Sequence, residues 1–395
     1  MMKIITSLIF LILSIMVISC ESPHNSPENI SEEVISRKVN TSYSLEAMGR
    51  SQPENDTILK RFQQLYEKTA VHEYAKFWVD EEISRPYISL YRILNEYPAY
   101  TPNILTIQKK EANKYLLKFA MMAVYEEVPS LDIIYNILVI RAENGQYYFK
   151  SLFSENLAQL NVKRFENITY YFDDEDDFSI GQAKQQVQFE NKLVDFLEVR
   201  KLYYNYVIFN SAFELYTFLG YDYHQLMFLS DTKGGLSMPS KYFVFSGNNK
   251  ACYPHETVHL YVGEYFPKYH NLIGEGLATF LGGSKGISYP AHLANLKQFI
   301  TEEHIDICDY LMQFEKRQTV ITAKTSFKYS FGAFLCDLVY QKKGKEGLFK
   351  LLNSGWNDEE LYQTLAQLLN ININEIDRYV KNELSSFVPS LMFSE

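Results

Sequence analysis

Cysteine is scarce in this 395-residue chain: Cys20, Cys252, Cys308 and Cys336 are the only four, widely and irregularly spaced. That count excludes a disulfide framework, and the absence of any Cys-x-x-Cys pair excludes a thiolate metal site. One pair among the last three can bond in an oxidising compartment, and the spacing does not select which. Basic residues are also in deficit, with 38 Lys and Arg against 48 Asp and Glu, a net charge of −10, and no Lys/Arg run. A nucleic-acid partner needs a clustered basic face, so none is expected. No repeat of 20 to 50 residues is present, which excludes a solenoid. Tryptophan is rare (two), whereas Tyr (31) and Phe (27) abound, so the core is expected to be aromatic. Length and an ordinary apolar content fit two globular domains.

The one long apolar run stands at the start. Lys3 precedes apolar residues 4–19, and Glu21, Ser22, Pro23 and His24 end the run abruptly. It is near the lower limit for spanning a bilayer and has the pattern of a signal peptide. Val17-Ile18-Ser19-Cys20 resembles a bacterial lipobox. That resemblance implies cleavage before Cys20, a lipid anchor on that cysteine, and a place on the bacterial cell envelope. With Glu21 after the cysteine, the same resemblance implies the outer membrane. Residues 20–55, polar and rich in Ser, Asn, Pro and Glu, read as a flexible tether.

The rest divides into two expected units of α+β class. In 56–160, helical periodicity over 57–79 precedes alternating strands at 103–108, 114–125 and 133–141, an Asn144-Gly145 turn, and a strand at 146–152. Helix followed by meander resembles the small NTF2/cystatin-like domain. Its one histidine, His72, is expected on the helix surface. In 161–395, strands are expected at 167–172, 202–209 and 241–246, helices at 180–196 and 211–219, and a turn at 231–235. A mainly helical part follows from Pro254. The acidic stretch 173–177 lacks the spacing and glycine of a calcium loop and is expected to be solvated.

One constellation carries chemistry. Tyr253-Pro254-His255-Glu256-Thr257-Val258-His259 places two histidines four apart, one turn above the other on one helix face. Both can reach a single cation, and Glu256 sits beside it, free to move a proton. Pro254 suits the first turn, where its missing N–H costs nothing. Chance alone would place HExxH in roughly one in a hundred such chains, so the surrounding sequence must decide. Glu275, in Gly274-Glu275-Gly276-Leu277-Ala278, supplies a third ligand candidate; fifteen residues separate it from His259, with a turn at Phe266-Pro267 between them. A catalytic zinc needs three protein ligands and one open position.

His255-Glu256-x-x-His259 followed by Gly-Glu275-Gly-Leu-Ala resembles the gluzincin zinc metallopeptidases, most closely the bacterial peptidase MA-like group, over about 165–385. The resemblance implies a gluzincin-type domain with a small sheet. His255, His259 and Glu275 would bind one Zn2+, with Glu256 as general base. It also implies a tyrosine supporting the oxyanion, for which Tyr329 is the candidate and His292 or His304 the substitutes. Lys241, Tyr242, Phe243, Val244 and Phe245 would lie on an edge strand that pairs with a peptide or protein substrate. Two positions depart from the pattern. Gly235-Leu236-Ser237-Met238-Pro239 lacks the glutamate with which zinc aminopeptidases grip an N-terminal amine. Thr279 stands where thermolysin-like enzymes place an aspartate behind a histidine.

The expected function is therefore zinc-dependent peptide hydrolysis. The alternative is an inactive zinc-binding or partner-binding envelope lipoprotein; oligomeric state is left open. Cys20→Ala is expected to move the chain from the membrane to the soluble fraction and to abolish fatty-acid labelling. A variant still labelled and still sedimenting with membranes would rule out the anchor.

Overall fold

Alternating apolar and polar residues build long strands early in the chain, and near-continuous apolar periodicity builds helices late. The computed structural model describes residues 37–42, 53–68, 70–79, 94–95, 99–125, 127–228, 234–305, 307, 310 and 313–393. The expected signal segment 1–19, Cys20, most of the tether, Cys308 and the turn residues 231–233 lie outside these. The fold is α+β, as expected, and divides into two compact units: 29–160 with 213–230, and 161–212 with 231–395. No helix among the described residues is long and apolar enough to cross a membrane.

In the first unit, α1 (Pro53–Tyr66) buries Ile58, Phe62 and Leu65, spaced three to four apart. The helix expected over 57–79 is broken: Ala70 is extended, and a short turn Val71–Tyr74 restarts after it. His72 is exposed. Strands β1 (Asn40–Thr41), β2 (Thr101–Glu111), β3 (Lys114–Tyr125), β4 (Val128–Arg141) and β5 (Tyr147–Lys150) form one sheet in that order. The Phe62 ring packs 5.3 Å from Phe119 and 5.8 Å from Phe149, seating α1 on the sheet.

Two boundaries differ from expectation. Residues 40–41, assigned to the tether, pair in parallel with β2 and satisfy its edge. Residues 213–230, assigned to the second unit, belong to the first. The cause is a mismatch of strand lengths: β5 covers only Leu138–Arg141 of β4, leaving unpaired backbone further along. Strand β9 (Tyr221–His224) fills that gap by pairing with Ile133–Tyr135.

The second unit has a five-stranded sheet of β6 (Asn161–Phe165), β7 (Ile168–Phe172), β8 (Tyr204–Ile208), β10 (Gly234–Met238) and β11 (Phe243–Gly247). Its order is β10-β11-β8-β7-β6. Strand β11 is parallel to β8 and antiparallel to β10. Helix α2 (Ile180–Leu197) starts at Ser179, whose side chain accepts the Gln182 N–H. Helix α4 (Asn271–Gly282) is almost wholly buried, as a helix apolar on most sides must be, and α3 (Pro254–Tyr265) is buried from His255 to Val262 despite its two histidines and Glu256. Helices α5 (Tyr289–Glu303), α6 (Phe327–Leu352), α7 (Asp358–Leu369) and α8 (Ile376–Ser386) complete the unit. Gly344, at φ 64, kinks α6.

Helices α4 and α6 cross at glycine. A Cβ on Gly276 would fall 2.2 Å from the Gly332 carbonyl carbon, and one on Gly332 would fall 2.3 Å from the Leu272 carbonyl oxygen. The glycines flanking Glu275 do not face α3. Gly276 admits α6, Gly274 lies against the Tyr269 ring, and Gly282 closes α4 onto the start of α3. Gly332→Ala is expected to lower unfolding free energy by about 1–3 kcal/mol, because backbone must move. Gly181→Ala, whose new methyl group meets nothing nearer than Ser179 Oγ at 3.7 Å, should be neutral or stabilising by about 0.5–1 kcal/mol. Urea denaturation of the two variants checks the contrast.

Candidate metal centre

The histidines of α3 and the glutamate of α4 converge. His255 Nε2 and His259 Nε2 are 3.1 Å apart, and each lies 3.3 Å from Glu275 Oε2. Atoms bonded at about 2.0–2.1 Å to one tetrahedral centre stand about 3.3 Å from one another, so the trio has the spacing of three corners. All three are buried, and they form the one His/Cys/Asp/Glu cluster of metal-holding geometry among the described residues.

The protons follow from the partners. His255 Nδ1 lies 2.8 Å from the Gly283 carbonyl oxygen, which only accepts, so the ring donates there and turns its Nε2 lone pair inward. Thr279, at the position of the aspartate seen in thermolysin-like enzymes, is not that partner; its Oγ1 is buried without a hydrogen bond among the described residues. Glu275 spends its other oxygen on Lys328, whose Nζ lies 3.1 Å from Oε1. Burial alone would raise the Glu275 pKa, but Lys328 and the two histidines hold it well below the usual carboxylate range. Burial likewise opposes charge on His255, yet the Glu275 bond, the Glu256 and Glu275 charges and the Gly283 carbonyl together outweigh it and raise that pKa. For His259 burial prevails and the pKa falls.

Glu256 does not join the cluster. It is 3 % exposed, and its Oε2 is buried without a hydrogen-bond partner among the described residues. Burial pushes its pKa up to about 8; the Glu275 charge adds to the rise and His255 opposes it. Beside three candidate ligand atoms in the metal-free chain, this buried carboxyl holds its proton more tightly than an exposed one.

Tyr329 is brought to the same place, its ring 5.8 Å from that of His255. His292 is not available as a substitute. Its Nε2 donates to the Ser284 carbonyl at 3.1 Å, and its Nδ1 is engaged by the Thr325 hydroxyl. His304 is exposed at the end of α5.

The expected edge strand is corrected. Lys241 closes a 3-10 turn (Pro239–Lys241), Tyr242 is left-handed, and Phe243, Val244 and Phe245 lie in β11, hydrogen-bonded on both sides. Among the described residues the edges of this sheet are β10 and β6, and β10 is the one that passes the centre. Its glycine-rich start, Gly234-Gly235, carries a turn signal rather than strand alternation. Gly235 of β10 passes so close to the centre that a Cβ there would fall 2.2 Å from the Tyr253 ring and 2.7 Å from Glu256 Cγ.

Other contributors carry faint sequence signals. Gln182, Gln186 and Glu190 recur every four residues on the buried side of α2. Gln182 Oε1 accepts the Ala251 N–H (2.8 Å) and Gln186 Oε1 the Tyr253 N–H (2.9 Å), while Gln186 Nε2 donates to Thr257 Oγ1 (2.6 Å). Lys328 is a lone cation in an otherwise apolar stretch. Cys252 and Cys336 are free thiols. The acidic stretch is exposed over 173–176 and half-buried at Asp177; it bonds within its own turn, and the Asp173 carbonyl accepts the Asn161 amide.

No protein-family model matches the chain, and no curated protein matches it.

The raised pKa of Glu256 has a consequence for the metal-free protein. Because the folded state holds this proton more tightly than an unfolded carboxyl of pKa 4.5, the stabilisation is fully present below pH 4.5. It is lost as pH rises through about 8. Denaturation midpoints in chelator, from pH 5 to 8, should fall more steeply for the parent chain than for Glu256→Gln. Parallel pH profiles would assign the proton elsewhere.

Proposed function

We propose that the chain is a zinc-dependent peptidase of the gluzincin kind. One observation carries the reading: two imidazoles and a carboxylate stand at tetrahedral spacing while a second carboxylate, orphaned and buried, lies beside them. Two histidines and a glutamate are the donor set of catalytic zinc in several peptidases, and three ligands leave a position open. When bound, zinc supplies Lewis acidity, making water acidic near neutral pH and polarising a carbonyl.

The chain's own residues account for the rest. His255, His259 and Glu275 hold the ion, with Gly283 and Lys328 fixing how two of them face. The free edge of β10 pairs with the extended backbone of a peptide and lays its carbonyl beside Glu256. Glu256 takes a proton from water as its oxygen bonds to the carbonyl carbon. It then delivers that proton to the amide nitrogen as the C–N bond breaks, leaving a carboxylic acid and an amine. Tyr329 donates a hydrogen bond to the carbonyl oxygen as negative charge grows there. The lipid anchor on Cys20 would hold this activity at the bacterial envelope.

Glu256→Gln is expected to retain one zinc per chain and to lose at least about 10²–10⁴-fold in peptide hydrolysis. Metal analysis alongside a quenched-fluorescence peptide library measures both. Substantial turnover by the variant would remove the proposed base, and an active chain without zinc would remove the metal.

A further inference from the structure

The segment that follows α4 is built more tightly than a connection requires. Ser284 and Ile287 exchange both backbone hydrogen bonds, at 3.1 and 3.0 Å, closing a two-residue turn. Its central residues, Lys285 and Gly286, both have positive φ, 48° and 76°. Such turns favour Asn, Asp or Gly at the first central position, because a side chain there crowds the backbone. A lysine stands there against local preference, and strain of this kind points to a use for the side chain.

The turn is also fastened to the candidate centre. The Gly283 carbonyl accepts from His255, and the Ser284 carbonyl accepts from His292. Lys285 is thereby held in register with a metal ligand. Its Nζ lies 5.5 Å from the centroid of the Tyr329 ring, which itself lies beside His255. Burial lowers the Lys285 pKa, and Glu275 acts on it as a more distant charge that opposes the fall. Among the described residues no carboxylate forms an ion pair with its Nζ. A half-buried cation facing the reaction centre with no counter-ion of its own gains most from an anion brought by the ligand.

We propose that Lys285 is a specificity-determining residue that binds a carboxylate of the peptide substrate. This rests on the peptidase reading and names the substrate class it would prefer. A peptide offers two such anions, its C-terminal carboxylate and an Asp or Glu side chain. Lys285 Nζ and the His255 ring lie 5.5 and 5.8 Å from the centre of the Tyr329 ring, so they stand no more than about 11 Å apart. The carboxylate therefore belongs within about three residues of the scissile bond, at about 3.3–3.6 Å of extended chain per residue.

The test measures binding, so that it does not depend on turnover. Zinc-loaded Glu256→Gln protein, with Lys285, Lys285→Met or Lys285→Arg, is titrated calorimetrically with four versions of one short peptide. These are the free acid with neutral side chains, its C-terminal amide, the amide carrying Glu, and the amide carrying Gln. With Lys285 present, one acid should bind about 10-fold or more tightly than its neutral counterpart. The gap should close in Lys285→Met and reappear in Lys285→Arg, and whichever pair shows it identifies the source of the carboxylate. Equal affinity for acid and amide, or a gap that survives Lys285→Met, overturns the assignment. Acid-selective binding without cleavage by the parent chain would sink the peptidase reading but keep the carboxylate site. Cleavage without acid preference sinks only the role of Lys285, and no binding of any peptide overturns both.

Discussion

A single buried carboxylate, that of Glu275, is the point at which the elements of the second unit meet. It is almost fully removed from water, and an isolated charge in such a place would be too costly to persist. It persists because the Lys328 ammonium on α6 answers Oε1, while Oε2 faces the two imidazole nitrogens on α3 at the spacing a shared cation would bridge. The ion pair with Lys328 also fixes the direction of the carboxylate. The oxygen that turns to the histidines cannot rotate away without abandoning Lys328.

That arrangement is possible only because the helices approach more closely than side chains allow. Gly276 sits next to Glu275, and Gly332 one helical turn beyond Lys328, so the glycine contact and the ion pair belong to one crossing of α4 and α6. Removing side chains at the crossing brings the lysine stem within reach of a glutamate on the facing helix. Gly282 does the same at the far end of α4, where the start of α3 must come in. Packing and electrostatics are thus one constraint viewed at two depths.

The motif helix is held from its other side by polar groups. A helix as buried as α3 leaves its first N–H groups and the strand-like residues before it without water, and α2 supplies the partners through Gln182 and Gln186. Glu190, one turn further along, receives the Tyr261 hydroxyl at 2.5 Å and the Asn167 amide at 2.9 Å. These bonds set the rotation of α3 about its axis, and with it the direction in which His255 and His259 point.

Much of this was legible beforehand where the physics is local. The i, i+4 spacing of His255 and His259 places them on one helix face whatever surrounds them. Pro254 marks the helix start, and a run of aromatic and aliphatic residues bounded by polar ones gives β3 its limits at 114–125. Even Glu275 could be singled out, since a glutamate between glycines in an apolar helix is an unusual thing to bury. What depends on distant partners was not legible. That β10 is an edge of its sheet and β11 is not, that residues 213–230 complete the other unit's sheet, and that Gly276 faces α6 are decided by strand order and helix crossing. Those in turn rest on contacts between residues far apart in the chain. Lys328 and Lys285 look like ordinary surface cations until the tertiary structure places one against Glu275 and the other over Tyr329. The amino-acid order settles which residues can share a helix face or a strand edge, because backbone periodicity is local. Which of those faces meet is settled only when the whole chain minimises its exposed apolar surface and its unpaired charge together.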